Sequence, residues 1–177
     1  QPVLVDLIVQ DGGQDLSSLD GWRQGLGLSI GNYSSPVVTR ATFDNLKTRA
    51  INMWGNSGGI YRNITVTNVS GASLAPAAGI WIEDSRPLME DLTIQRCDHG
   101  MFIRHITDDS VTRAVVRRAV IENSMFRGVM IDKEDHTNYT NYQSAIFNNL
   151  TIRGTGGINA ITAGIASAAM EINASGA

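Results

Sequence analysis

Five blocks of six residues share one grammar: ATFDNL (41–46), ITVTNV (64–69), LTIQRC (92–97), AVIENS (119–124) and LTIRGT (150–155). Apolar residues fill the first and third places of every block. The second place reads Thr42, Thr65, Thr93, Val120 and Thr151, and the fifth reads Asn45, Asn68, Arg96, Asn123 and Gly154. A further apolar residue stands four positions upstream of each: Val37, Ile60, Leu88, Val115 and Ile146. Another set of short apolar strands lies between the blocks: GLSIG (27–31), AINMW (50–54), GIWIE (79–83), GMFIR (100–104), GVMID (128–132) and GINAI (157–161). Their starts fall 21 to 29 residues apart, yet the register inside each strand holds. Period-2 alternation argues for strands rather than helices. A fixed register with variable spacing is the mark of a solenoid whose loops differ in length.

The fold this predicts is all-β: a right-handed parallel β-helix of about six to seven rungs, a single-stranded solenoid over residues 1–177. Each strand pairs with its equivalent one rung on, and rungs about 4.8 Å apart make a rod roughly 30 Å long. Asn or Gly at one phase fits a sharp bend in left-handed backbone, which those residues tolerate best. The expected core is Ile64, Val66, Ile80, Ile82, Leu92, Ile94, Met101, Ile103, Ile121, Val129, Ile131 and Ile152. The neighbouring outward column (Asp44, Thr67, Gln95, Glu122, Arg153) is irregular and charged, which argues against an ice-binding threonine face.

In this repeat grammar the chain resembles the pectate-lyase-like superfamily, including its NosD-type parallel β-helix repeats. The resemblance covers nearly the whole chain and implies a fold; a shared fold does not carry a function with it. Lyases of that superfamily use calcium-bound carboxylates with an Arg or Lys base, so the resemblance also raises Ca2+ as a cofactor.

Composition removes several classes of function. The net charge of −3 provides no basic footprint for nucleic acid. Cys97 is the one cysteine, so the chain forms no internal disulfide and no cysteine cluster for a metal. The sequence has no apolar run of membrane-spanning length. The start QPVLVDLIVQ lacks a basic leader, and the late end ITAGIASAAMEINASGA is small and nearly uncharged. The chain therefore reads as a segment of a longer surface or secreted protein, with further subunits or domains stacked on its C-terminal rung. DLSSLDGWRQ (15–24) reads as a short helix covering the other end.

Candidate chemistry sits on the outward side of the second strand set. One outward column is Ser29, Asn52, Trp81, Phe102, Met130 and Asn159, and the next is Gly31, Trp54, Glu83, Arg104, Asp132 and Ile161. Trp54, Trp81, Phe102 and Met130 form a substrate-binding candidate, since sugar faces lie on aromatic rings; a covering loop or neighbouring chain is the alternative explanation. Glu83, Arg104 and Asp132 form a catalytic candidate. Two rungs place the outer carboxylates about 9.6 Å apart, near the upper limit of the roughly 6.5–9.5 Å used by inverting glycosidases. Arg104 between them counts against this, because a general acid needs a raised pKa. The segments HITDDSVTR (105–113) and KEDHTNYTNYQS (133–144) leave the same side on adjacent rungs. They gather Asp108, Asp109, Asp132, Glu134 and Asp135, an oxygen-rich set suited to calcium. His99, in CDHG, reads as a turn residue.

Six N-x-S/T sequons occur. Asn138, Asn32 and Asn63 are the candidate glycosylation sites, whereas Asn68, locked in a stacked bend, would be a poor acceptor. The function this favours is an extracellular or cell-surface structural and adhesive module contacting a polysaccharide or glycan. The competing function is a polysaccharide lyase or glycoside hydrolase.

Overall fold

The computed structural model describes residues 1–12, 25–71, 77–105, 113–133, 144–156 and 168–173. The expected helix at 15–24 and the strand GINAI lie outside them. Among the described residues twelve strands alternate between two parallel sheets. The first sheet holds β1 (Val3–Gln10), β3 (Val37–Leu46), β5 (Gly58–Val69), β7 (Arg86–Gln95), β9 (Arg113–Glu122) and β11 (Ser144–Arg153). The second holds β2 (Leu26–Ile30), β4 (Arg49–Met53), β6 (Ala78–Glu83), β8 (His99–His105), β10 (Arg127–Lys133) and β12 (Ala168–Asn173). Each strand pairs in parallel with the next of its own sheet, so the chain winds one rung at a time. This is a parallel β-helix. In the second sheet β12 pairs with β10, so the sixth place there belongs to Ala168–Asn173.

Alternation decides which side chains fill the rod. In the first sheet Leu7, Ala41, Ile64, Leu92, Ala119 and Leu150 stand in register, and beside them Val9, Phe43, Val66, Ile94, Ile121 and Ile152. The second sheet opposes them with Leu28, Ile51, Ile80, Met101 and Val129, and with Ile30, Met53, Ile82, Ile103 and Ile131. Together they form one core, with Ile131 and Ile152 half-buried at its late end. The expected core is thus found in place.

The first-sheet strands bend twice. The column Asn45, Asn68, Arg96, Asn123 and Gly154 has positive φ throughout, between 52° and 65°, as its Asn and Gly residues suggest. A second left-handed column, absent from the sequence reading, runs through Asp6, Arg40, Asn63, Asp91, Arg118 and Asn149, with φ between 54° and 59°. It shifts the inward phase: Val38, Tyr61, Met89 and Val116 are buried. Val37, Ile60, Leu88 and Val115, the residues of the upstream apolar column, are only partly covered, and Ile146 is exposed.

Both bends carry cross-rung ladders. Arg40 Nε and a terminal nitrogen donate to both oxygens of Asp6 at 2.6 and 2.9 Å, and Arg118 does the same to Asp91 at 2.6 and 3.0 Å. Asn45 donates to Asp11 (2.7 Å) and Arg96 to Asn68 (2.7 Å). Just before the Asp91 column, Glu90 accepts from Arg62 (2.8 Å) and Arg117 (3.3 Å). Gln95 donates to Glu122 (2.7 Å), which also pairs with Arg153. The outward column that reads as irregular in sequence therefore holds complementary partners: Thr67 donates to Asp44, and Glu122 meets Gln95 and Arg153. Like charges on adjacent rungs would repel, and these bonded pairs place none together.

Candidate functional site

The outward face of the second sheet brings the candidate residues together. Asn52, Trp81, Phe102 and Met130 stand in register across β4, β6, β8 and β10, as the strand grammar predicts. The last place of the column is taken by Glu171, and Asn159 lies outside the described residues. The expectation of an open aromatic face is not met: Trp81 is 1% exposed and Phe102 5%. Their rings stack at 4.2 Å with 4° between planes. They form a second small apolar cluster with Ala78, against which Met130 packs. The rung spacing produces this stack, because flat rings one above another at about 4.8 Å repeat come into contact once the sheet twists slightly.

Arg49 closes one face of the stack. Its guanidinium carbon lies 3.6 Å from the Trp81 ring centroid, a cation–π contact, and Arg49 donates to the Asn52 side-chain oxygen at 2.7 Å. Burial pulls the Arg49 guanidinium down to about 10, with the nearby Glu83 charge acting in the opposite direction. Trp81 Nε1 donates to Glu83 Oε2 at 3.1 Å, so the buried indole is satisfied. His99 is not a turn residue: it opens β8, is 5% exposed, and meets Phe102 edge-on at 6.1 Å and 88°. Arg49 and His99 were invisible to the strand grammar because they stand one residue before the Gly or Ala that opens each quoted block. Reading that preceding column (Leu26, Arg49, Ala78, His99, Arg127) would have found them.

Glu83, Arg104 and Asp132 are in register on three adjacent rungs. Arg104 Nε lies 3.6 Å from Glu83 Oε2, and both side chains are largely covered. Of Asp132 the structure describes the backbone alone. Glu83 is thus held by a guanidinium and an indole N–H.

Trp54 behaves differently from the other aromatics. It is 40% exposed and its ring lies over Gly31, where a Cβ would come within 2.3 Å of the indole. Asp108, Asp109, Glu134, Asp135 and Asn138 lie outside the described residues. Among the described residues no group of three or more His, Cys, Asp or Glu could hold a metal ion. Asn32 and Asn63 are exposed at left-handed positions. The Asn68 amide is engaged on both sides, donating to Asp44 at 2.7 Å and accepting from Arg96 at 2.7 Å, as expected of a bend residue.

A smaller cluster lies at the bend of the Arg96–Asn123–Gly154 column. A depression of about 430 Å³ is lined by Arg96, Cys97, Asp98, Asn123, Ser124, Met125 and Gly154. Burial pushes the Cys97 thiol up to about 12, which leaves it unreactive as a nucleophile, and raises the Asp98 carboxyl although the Gly71 N–H donates to it at 2.8 Å.

The profile describing a right-handed beta helix region matches residues 13–145. The chain belongs to the right-handed β-helix family. Searches of curated proteins and of solved structures returned no match. No helix of the β-helix, among its described residues, is long and apolar enough to cross a membrane.

Proposed function

We propose that this β-helix is a structural and adhesive module of an extracellular or cell-surface protein, holding a glycan on its outer surface. The observation that supports this reading is the use made of its outward carboxylates. Asp6, Asp44, Glu90 and Asp91 are each held below their usual range, by Arg40, by Thr67 and Asn68, by Arg62 and by Arg118 respectively. Acids kept ionised by the adjoining rung knit the rod together and cannot donate a proton in catalysis.

The register of Glu83, Arg104 and Asp132 keeps a second reading in view, a polysaccharide lyase or glycoside hydrolase acting at that face. Incubation with acidic and neutral polysaccharides, with and without calcium, followed by mass spectrometry of the products, separates the two. The module reading expects retention without cleavage. Cleavage that disappears in Arg104→Ala or Asp132→Asn would establish the enzyme.

A further inference from the structure

The corner where the first three rungs pass from the second sheet back to the first has a shape the ladders do not require. A hollow of about 390 Å³ opens there, bordered by Tyr33, Ser35, Asn56, Gly58, Gly59 and Arg86. Its floor is bare backbone. Gly59 has φ 113°, and a Cβ on it would come within 2.3 Å of the Pro36 carbonyl oxygen; a Cβ on Gly58 would sit 3.1 Å from that of Arg86. The two glycines therefore let the backbone of the neighbouring rungs approach closely enough to form this floor, and Gly59 takes the left-handed conformation of the turn.

Tyr33 stands at the rim, 79% exposed. Asn32 and Tyr33 are consecutive left-handed residues, φ 53° and 64°. Ser34 N–H donates to the Gly31 carbonyl at 3.2 Å and Tyr33 N–H to the Gly55 carbonyl at 3.0 Å, which pins the turn. Turns of this kind take Asn first and Gly second. A bulky aromatic in the second place is strained, and the ring touches too little of the protein to repay that strain through packing. Strain kept at an exposed aromatic points to something outside the chain that uses the ring. Trp54, the other exposed aromatic among the described residues, lies on Gly31, the first residue of the same turn.

We propose that this corner is a saccharide-binding site, with the apolar face of a sugar ring on Tyr33 and its hydroxyls on Ser35, Asn56 and Arg86. The chemistry selects the ligand. The hollow offers one flat aromatic wall together with side chains that donate and accept, the pattern that suits a ring with one C–H face and a rim of hydroxyls. An apolar peptide would match the ring but not the polar rim, and a nucleic acid would require a basic surface that a chain of net charge −3 lacks. The assignment rests on the adhesive reading and moves its contact from the buried Trp81–Phe102 stack to the Tyr33 corner.

The test is calorimetric titration of the purified chain with a panel of neutral and acidic oligosaccharides, repeated for Tyr33→Phe and Tyr33→Gly, with thermal unfolding of all three. Wild type and Tyr33→Phe should bind alike, while Tyr33→Gly should lose about tenfold or more in affinity, as expected of an aromatic anchor. Tyr33→Gly should also unfold at the same temperature or higher, because glycine relieves the left-handed strain. Equal binding by Tyr33→Gly overturns the site and leaves the adhesive reading standing. A wild type that binds no saccharide overturns both. A lower Tm in Tyr33→Gly would assign the ring to structure and sink the proposal.

Discussion

Trp81 shows how one side chain is fixed from several directions: Phe102 below, Arg49 above, and Glu83 at its Nε1. Truncating it opens a cavity and strips Arg49 of its cation–π partner, so Trp81→Ala should cost about 3–5 kcal/mol in chemical denaturation. Asp98 presents the opposite case. Burial raises its carboxyl above the ordinary value, so the ionised form at neutral pH is a cost that the folded chain carries. Asp98→Asn keeps an oxygen for the Gly71 N–H and removes the charge. The variant should be more stable than wild type at pH 7, and the difference should shrink as pH falls and Asp98 takes up its proton. Gly100 is fixed by crowding: a Cβ there would stand 2.4 Å from the Gly128 carbonyl oxygen of the next rung and 2.4 Å from Ile121 Cγ2. Gly100→Ala should therefore destabilise by about 1–3 kcal/mol, measured the same way.

At the level of strands and bends, the sequence made one ladder legible and concealed another. The Asn45–Asn68–Arg96–Asn123–Gly154 column announces itself because Asn and Gly tolerate left-handed backbone better than other residues. The Asp6–Arg40–Asn63–Asp91–Arg118–Asn149 column does not, since Arg is rare in that conformation. Its signal is a break in phase: Val38 and Ala41, Tyr61 and Ile64, and Met89 and Leu92 all point inward three residues apart, which a straight strand forbids. Outward positions were legible in register but not in exposure. Alternation fixes which way Trp81 points, whereas what lies over it depends on groups distant in sequence. Tyr33 was missed because its strain is a property of backbone dihedrals and no local composition reports it. The bend ladder is testable through its acids: in Arg118→Ala the Asp91 carboxyl should return toward its ordinary range in an NMR titration, with little change in Tm because the pair is exposed.

Over the whole rod, each rung rests on the one before it, and the core runs unbroken through Ile51, Ile80, Met101 and Val129. A charge placed mid-rod, as in Ile103→Asp, has no partner and cannot be moved to the surface; the chain should fail to fold, seen as loss of the β-sheet circular dichroism signal. Carboxylates held low by the next rung stabilise the rod fully above their unfolded value near pH 4, and that stability should drain away as pH falls through the lower folded values. Asp98 alone opposes this trend among the shifted acids of the described residues. The central claim is that the outward acids hold rungs together and do not transfer protons. Carboxyl-carbon NMR of the folded chain across an acid titration tests it most directly. Asp6, Asp44, Glu90 and Asp91 should each titrate below the ordinary carboxylate range; any of the four titrating above its ordinary value, as a general acid does, would contradict the account.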